Sequence, residues 1–113
     1  MDQSKALAAL SALANETRIE LVRALIAGGR DGLAAGEIAR RLGVSSSRLS
    51  FHLAALEQAG LITSRRASRH VFYAADANGI GAVISYLLND CCKGHPDVSA
   101  CCLHPDRAIR PEQ

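Results

Sequence analysis

All four cysteines of the chain lie in one stretch near its C-terminal end, NDCCKGHPDVSACCLHP, as the adjacent pairs Cys91–Cys92 and Cys101–Cys102. This spacing is compatible with two disulfides, with a metal site or with reactive thiols. The sequence shows no run of eighteen apolar residues and no secretory leader, so we expect a cytoplasmic protein that does not enter a membrane. In that reducing compartment, clustered cysteines favour metal binding or thiol reactivity over structural crosslinks.

The charge of the chain is concentrated in its middle third. The whole sequence has 113 residues and a net charge of +2. Residues 40–70 hold six arginines and one acid, a local charge of +5; residues 1–39 (four basic, five acidic) carry −1 and residues 71–113 (three basic, five acidic) carry −2. The middle third is therefore expected to face a polyanion. So short a chain forms one domain with a modest core, and oligomerisation would stabilise it.

Hydrophobic periodicity predicts helices along most of the chain. The segment SKALAALSALAN carries apolar residues at helical spacing, and a second helix is predicted to begin after Asn15, a good N-cap residue. The segment NGIGAVISYLLNDCC has an apolar stripe wider than the core of so small a chain requires. That stripe consists of Ile80, Val83, Ile84, Leu87 and Leu88.

Two short segments in the middle of the chain predict a helix-turn-helix. The first, AAGEIARRLG, is closed by Gly43, and the second, SSSRLSFHLAALEQAGL, follows after a brief turn. The residues expected to face inward are Ile38, Ala39 and Leu42 in the first helix and Leu49, Leu53 and Leu56 in the second.

The segment LITSRRASRHVFYAA changes the period from helical to alternating, which predicts a β-hairpin with its reversal near Ala67 and Ser68. The turn lacks the Asn-Gly or Asp-Gly sequence that tight hairpins favour. Basic side chains cluster at its tip, where they would reach backbone phosphates of DNA. They are Arg65, Arg66, Arg69 and His70.

The outward face of the second helix in the helix-turn-helix is small, polar and basic. With its leucines inward, a rotation of about 100° per residue turns Ser47 and Phe51 outward. Arg48 and Ser50 flank them, and His52 lies near the boundary. Such a face suits the major groove, because hydroxyl and guanidinium groups donate to base edges and a phenyl ring contacts a thymine methyl. The predicted DNA-binding residues are Ser46, Ser47, Arg48, Ser50, Phe51, His52, Arg65, Arg66, Arg69 and His70.

Three segments of the chain together resemble the ArsR family of winged-helix, metal-responsive transcriptional repressors, over roughly residues 7–88. They are ALANETRIELVRAL, GEIARRLGVSSSRLSFHLAALEQAGLI and SRRASRHVFYAA. The resemblance implies a mainly α fold with a small β-hairpin, a winged helix-turn-helix that forms a homodimer through its first and last helices. It also implies that each protomer places its recognition helix in one half of an inverted-repeat operator in double-stranded DNA, and that a thiophilic ion releases the repressor.

Two parts of the chain are expected on this basis. Residues 1–92 form the DNA-binding and dimerisation domain, and residues 93–113 form a cysteine-containing tail. The tail carries three prolines and no periodicity, so we expect it to be extended or poorly ordered unless a ligand fixes it.

The two sensor sites best known in the family are absent here. Where arsenic-sensing members carry a Cys-x-Cys motif, this chain has the residues LAAG at 33–36, and residues 76–89 lack the histidine used by zinc-sensing members. The cysteine pairs remain as the candidate sensor. Gly94 and Pro96 permit the tail to fold back, which would bring Cys101 or Cys102 to Cys91 and Cys92.

Soft thiolates select thiophilic ions, and three sulfur ligands suit the pyramidal geometry of trivalent arsenic or antimony. We therefore expect arsenite, methylarsenite or antimonite as inducer. The predicted ligands are Cys91, Cys92 and one of Cys101 and Cys102. A site of only two thiols would suit a methylated arsenical, which has two positions for sulfur.

Other triggers remain open on the same scaffold. Zinc prefers four tetrahedral ligands, which four cysteines, or three with His95 or His104, would supply, and cadmium or lead are further candidates. A disulfide between the pairs would make a thiol-redox switch. An enzyme is not expected, because the chain has no Cys-x-x-Cys at a helix start and no recognisable catalytic triad.

Overall fold

The computed structural model describes residues 1–103, which form six helices and a three-stranded antiparallel sheet. In chain order the elements are α1 (Gln3–Leu13), α2 (Glu16–Gly28), β1 (Leu33–Ala34), α3 (Ala35–Leu42), α4 (Ser46–Gln58), β2 (Ile62–Ala67), β3 (His70–Ala75), α5 (Ala77–Ser85) and α6 (Pro96–Leu103). Helix α5 continues as a π-helical segment, Tyr86–Cys91. Over residues 1–103, every helix is too short or too polar to cross a bilayer. His104 and the rest of the predicted tail lie outside the described residues.

The core forms where α2, α3 and α4 meet the start of the hairpin. The largest side chains buried there are Leu21, Leu25, Ile38, Leu56, Leu61 and Ile62. The inward faces predicted for α3 and α4 are confirmed, since Ile38, Leu49 and Leu53 are all buried. Each fully buried leucine or isoleucine contributes roughly 1.5–3 kcal/mol relative to an exposed one.

Side-chain caps fix where the helices begin. Asn15 accepts a hydrogen bond from the backbone N–H of Arg18 at the start of α2, as predicted. Asp2 and Asp76 cap α1 and α5 in the same way. Each cap satisfies one of the backbone N–H groups that a helix start leaves without a partner.

The predicted hairpin is confirmed, with β2 and β3 in register from Ile62 opposite Ala75 to Ala67 opposite His70. Its turn contains Ser68 in the left-handed region (φ 60°), which explains how it closes without a glycine. A third strand, β1, pairs with β3 and was not predicted. A strand of two residues is too short to show an alternating pattern in the sequence, which is why β1 was not predicted.

Helix α1 packs through small residues. Its buried face is Ala6, Ala9 and Ala12, whereas Leu7 is 57% exposed. Alanines allow α1 to approach its neighbours closely, and this leaves an apolar side chain on the outer face. On α5 the wide stripe divides similarly, because Val83 is buried while Ile84 is 44% exposed.

The expectation of an extended tail is wrong for its first part, because Pro96–Leu103 forms α6. The chain reverses at Lys93 (φ 55°) and Gly94 (φ 67°) before this helix. His95 Nδ1 then accepts a hydrogen bond from the N–H of Asp97 (3.1 Å), and Pro96 occupies the first helical position, where its lack of an N–H carries no penalty. Helix α6 buries none of its residues.

Candidate nucleic-acid interface and thiol site

Helix α4 is the recognition helix of a helix-turn-helix formed with α3. Gly43 ends α3 in the left-handed region (φ 67°), and Ser45 Oγ accepts a hydrogen bond from the Arg48 N–H at 3.3 Å to start α4. Burial of Leu49 and Leu53 fixes the rotation of α4 about its axis. The predicted DNA-binding residues that are consequently exposed on α4 are Ser46, Ser47, Arg48, Ser50 and Phe51.

Phe51 is the most exposed large apolar residue of the described chain, at 67%. It lies among hydroxyl and guanidinium groups on the N-terminal half of α4, the part of a recognition helix that meets base edges. A ring exposed in this position is available for contact with a thymine methyl.

His52 differs from its neighbours, because only 8% of it is exposed. Its Nδ1 accepts a hydrogen bond from Arg18 Nε at 3.0 Å. Burial lowers the pKa of His52 below its usual value, and the nearby charges of Arg18 and Arg48 lower it further. The neutral imidazole is therefore favoured, and its ring lies behind the exposed face rather than on it.

The hairpin forms a basic wing beside α4, and its arginines have different environments. Arg65 donates to the carbonyl of Asp31 (2.9 Å), and its guanidinium lies 4.7 Å from the ring centroid of Phe72. These contacts brace the wing against the loop that precedes β1. The remaining predicted side chains, Arg66, Arg69 and His70, are exposed around the turn.

Few acidic side chains accompany these basic groups. Glu57 is the only acid among residues 40–70, and it accepts a hydrogen bond from Ser64 Oγ (2.7 Å). Glu37 on α3 forms an ion pair with Arg41 at 2.6 Å. The result is a continuous donor-rich surface on α4 and the wing, suited to phosphate contacts that position the protein and base contacts that specify sequence.

The structure brings Cys91 and Cys92 together at the end of the π-helical segment. The thiol of Cys92 is hydrogen-bonded to Cys91, and this bond raises the pKa of Cys92, with partial burial and repulsion from Cys91 as smaller causes. All four cysteines are free thiols. Within residues 1–103, no three histidine, cysteine, aspartate or glutamate side chains are placed to hold a metal ion. The ligand set of Cys91, Cys92 and one of Cys101 and Cys102 stays a prediction.

Cys91 borders a groove between α1 and the π-helical segment. The groove has a volume of about 410 Å³, and its lining residues are Gln3, Ala6, Leu7, Leu10, Tyr86, Leu87, Asp90 and Cys91. A π-helical stretch is rare and frequently marks a functional position. Cys91 thus borders the same groove as the exposed apolar side chains of Leu7 and Leu87.

Arg18 was not predicted as a functional residue. In the sequence it is one basic residue in the first turn of α2, and no spacing rule connects it with His52, which lies 34 positions later. Only the packing of α2 against α4 reveals the contact.

A helix-turn-helix with a basic hairpin wing defines the class of winged-helix DNA-binding proteins. Consistent with this, a family model described as a helix-turn-helix domain matches residues 13–65. The transcriptional activator HlyU of Vibrio cholerae is 36% identical over 86 residues, which cover 76% of this chain and 77% of HlyU.

Two further proteins extend the comparison. A Halobacterium salinarum protein provisionally assigned as the arsenical resistance operon repressor ArsR is 37% identical over 76 residues, covering 67% of this chain and 58% of that protein. The homodimeric winged helix-turn-helix domain of Mycobacterium bovis Mb0332 superposes with a TM-score of 0.63 at 25% identity, covering 81% of this chain and 82% of that one. The chain belongs to the ArsR family of winged-helix transcriptional regulators.

Proposed function

We propose that the protein is a homodimeric transcriptional repressor that leaves its operator when a trivalent arsenical binds the thiols of Cys91 and Cys92. The observation that supports this most directly is the position of the cysteine pair. The two thiols end the last helix of the winged-helix unit, and Cys91 opens onto the groove beside α1.

Dimerisation through α1 and α5 is favoured by their unburied apolar side chains. Leu7, Ile84 and Leu87 are exposed in the protomer, which leaves apolar surface that a second copy would cover. In the proposed dimer, a two-fold axis through this seam would relate two copies of α4. Such symmetry matches an inverted repeat in double-stranded DNA.

The chemistry of the pair suits trivalent arsenic. Sulfur ligands select thiophilic ions. Arsenite reaches the protein as neutral arsenous acid, and each arsenic–sulfur bond forms as one hydroxide leaves with the thiol proton as water. The raised pKa of Cys92 therefore does not oppose binding, because the protonated thiol supplies the proton that the leaving hydroxide needs.

Trivalent arsenic forms three bonds, so two thiol ligands leave one bonding position on the arsenic atom. A methyl group fills it in methylarsenite, whereas arsenite or antimonite accepts a third thiol from Cys101 or Cys102. Helix α6 carries these cysteines and buries none of its residues, so it can move toward the pair without loss of core packing.

Release follows if the bound arsenical changes the packing of the π-helical segment on α1. That change would alter the separation of the two recognition helices, which the fixed spacing of half-sites does not tolerate. A coupling of about 1–3 kcal/mol weakens operator binding by roughly 5- to 150-fold.

Two observations favour arsenicals over the alternatives. A zinc, cadmium or lead site would need ligands beyond the pair, and His95 Nδ1 already accepts the N–H of Asp97. A redox switch that begins at Cys92 is disfavoured, because redox-sensing thiols have a low pKa and the pKa of Cys92 is raised.

The test is operator binding by gel shift, using the DNA upstream of the protein's own coding sequence. Methylarsenite, arsenite, antimonite, zinc, cadmium and peroxide are compared side by side under defined reducing conditions. The double variant Cys91→Ser/Cys92→Ser is expected to bind DNA normally and to resist release by every arsenical.

The matched control is Cys101→Ser/Cys102→Ser, which changes the same number of thiols. It is expected to respond to methylarsenite as the wild type does and to arsenite more weakly. Normal release of Cys91→Ser/Cys92→Ser by both arsenicals would place the sensor elsewhere.

A further inference from the structure

Arg18 joins three parts of the protomer at one point. Its Nε donates to Nδ1 of His52 at 3.0 Å, and its Nη1 donates to the carbonyl oxygen of Ala12 at 3.3 Å. Its guanidinium carbon lies 5.6 Å from the ring centroid of Phe51. One cation in α2 thus contacts the end of α1, the buried side of α4 and the exposed face of α4.

The contact with His52 fixes the chemical state of the imidazole. A guanidinium has only donors, so Nδ1 must keep its lone pair, and the proton of the neutral ring is on Nε2. The His52 ring also packs edge-to-face with Phe51, with their centroids 5.7 Å apart and an interplanar angle of 70°. The orientation of Phe51 on the outer face therefore depends on two side chains behind it.

We propose that Arg18 is a positioning residue for DNA binding, which holds the recognition helix through neutral His52 and orients Phe51 on its exposed face. His52 is in this view an acceptor for Arg18 rather than a contact for DNA.

The same residue connects the recognition helix with the proposed dimer seam. Helix α1 carries Leu7 and Leu10 in the groove of Cys91 and ends beside Ala12, whose carbonyl accepts from Arg18. A shift of α1 would reach α4 through this bond. The role of Arg18 in connecting α1 with α4 rests on the proposed thiol sensor. Its role in positioning the recognition helix rests on DNA binding alone.

Acidification separates the two possible roles of His52. The charged groups that face it are Arg18 from α2 and Arg48 on α4, and α1 contributes the carbonyl of Ala12. Burial and the charges of Arg18 and Arg48 lower the pKa of His52 below its usual value, so the neutral form predominates at neutral pH and is lost only on acidification. Protonation places a third positive charge against two arginines and removes the acceptor. If His52 positions α4, its protonation should weaken DNA binding. If His52 instead contacted a phosphate, its protonation would strengthen DNA binding.

The experiment measures operator affinity by fluorescence anisotropy between pH 7.5 and 5.5 with the full chain. The reference protein and all variants carry His70→Gln, which removes the exposed histidine of the wing from the comparison. Three variants are compared: His52→Leu, His52→Asn and Arg18→Gln. Leucine has no hydrogen-bond acceptor, whereas asparagine keeps an oxygen near the position of Nδ1 and does not titrate. Arg23→Gln, an exposed arginine of the same helix, is the matched control for loss of charge.

Arg18→Gln and His52→Leu are each expected to lose about tenfold in affinity at pH 7.5, the size expected for one hydrogen bond from a charged donor. Their double variant should lose no more than either single one, and His52→Asn should recover most of the loss. Affinity of the reference protein should fall on acidification, with His52→Asn showing no such fall.

Two results would overturn the proposal. Affinity that rises in acid, with the rise absent in His52→Asn, would make His52 a phosphate contact. Equal losses in Arg18→Gln and Arg23→Gln would mean that only net charge matters. Circular dichroism verifies folding, and the His52→Asn profile decides the question even if His52→Leu does not fold. None of these measurements involves an arsenical, so they are independent of the thiol sensor.

Discussion

Gly79 is the residue at which α5 rests on the turn that ends the recognition helix. A Cβ atom on Gly79 would clash with the carbonyl oxygen of Gly60. The two glycines therefore meet backbone to backbone, with no flexible side chain that can move aside. This contact joins the helix that carries the thiol pair to the end of α4.

Gly79→Ala is expected to destabilise the fold by about 1–3 kcal/mol, because the added methyl group forces the backbones apart. Gly81→Ala is the matched control, since a Cβ there meets no atom within 4 Å, and it should stabilise α5 by up to about 1 kcal/mol. Urea unfolding followed by circular dichroism measures both. If the two variants shifted the midpoint in the same direction and by the same amount, the close approach would have no energetic consequence.

The wing is the element in which neighbouring arginines should behave differently. Arg66 and Arg69 are exposed beside the turn, whereas Arg65 is held by the carbonyl of Asp31 and the ring of Phe72. Each lost phosphate contact lowers the slope of log affinity against log salt by about 0.9. Arg66→Gln and Arg69→Gln should each lower the slope by about that amount.

Arg65→Gln should lower the slope less and destabilise the wing more, because its side chain braces β2 against the loop before β1. Salt titrations of operator binding measure the slope, and Arg23→Gln on α2 provides the charge control. An identical reduction for all four variants would show that the effect is general electrostatics and that the wing makes no specific phosphate contacts.

The elements with strong internal patterns could be predicted from the sequence. The leucines of α4 and the cap at Asn15 fix those helices locally, and the alternation in 62–75 fixes the hairpin. Strand β1 could not be predicted, because two residues have no period and pair only through β3. Helix α6 was missed because Pro96, taken as a helix breaker, occupies the one helical turn that accepts it.

The interface was predictable to the extent that it depends on one helix face. The exposure of Ser47, Arg48 and Phe51 follows from the rotation of α4 alone. His52 lies at the boundary of that face, where a rotation of a few degrees decides burial, and its partner Arg18 comes from another helix. The predicted approach of Cys101 or Cys102 to Cys91 and Cys92 likewise depends on a tertiary contact, which the spacing of the cysteines does not determine.

At the scale of the whole molecule, the exposed apolar side chains of α1 and α5 connect the two parts of the proposed function, which are arsenical binding and operator binding by a dimer. The same surface borders the thiol pair and forms the proposed dimer seam, so a ligand on Cys91 acts where the protomers meet. The spacing of two recognition helices depends on that seam, while the affinity of each helix depends on its own face. Disruption of the seam should therefore remove cooperation between half-sites and leave each protomer folded.

Leu7→Glu tests this directly, because a carboxylate on α1 would have to be buried without a partner in the dimer, which costs several kcal/mol. The variant should be monomeric in sedimentation velocity at concentrations where the wild type is dimeric. Its operator affinity should fall by about a hundredfold or more, because linked half-site contacts multiply their affinities. Ile26→Glu is the matched control: Ile26 on α2 has the same exposed fraction as Leu7, 57%, and does not border the groove of Cys91. This variant should remain dimeric and bind the operator normally, and dissociation of both variants, or of neither, would place the seam on another surface.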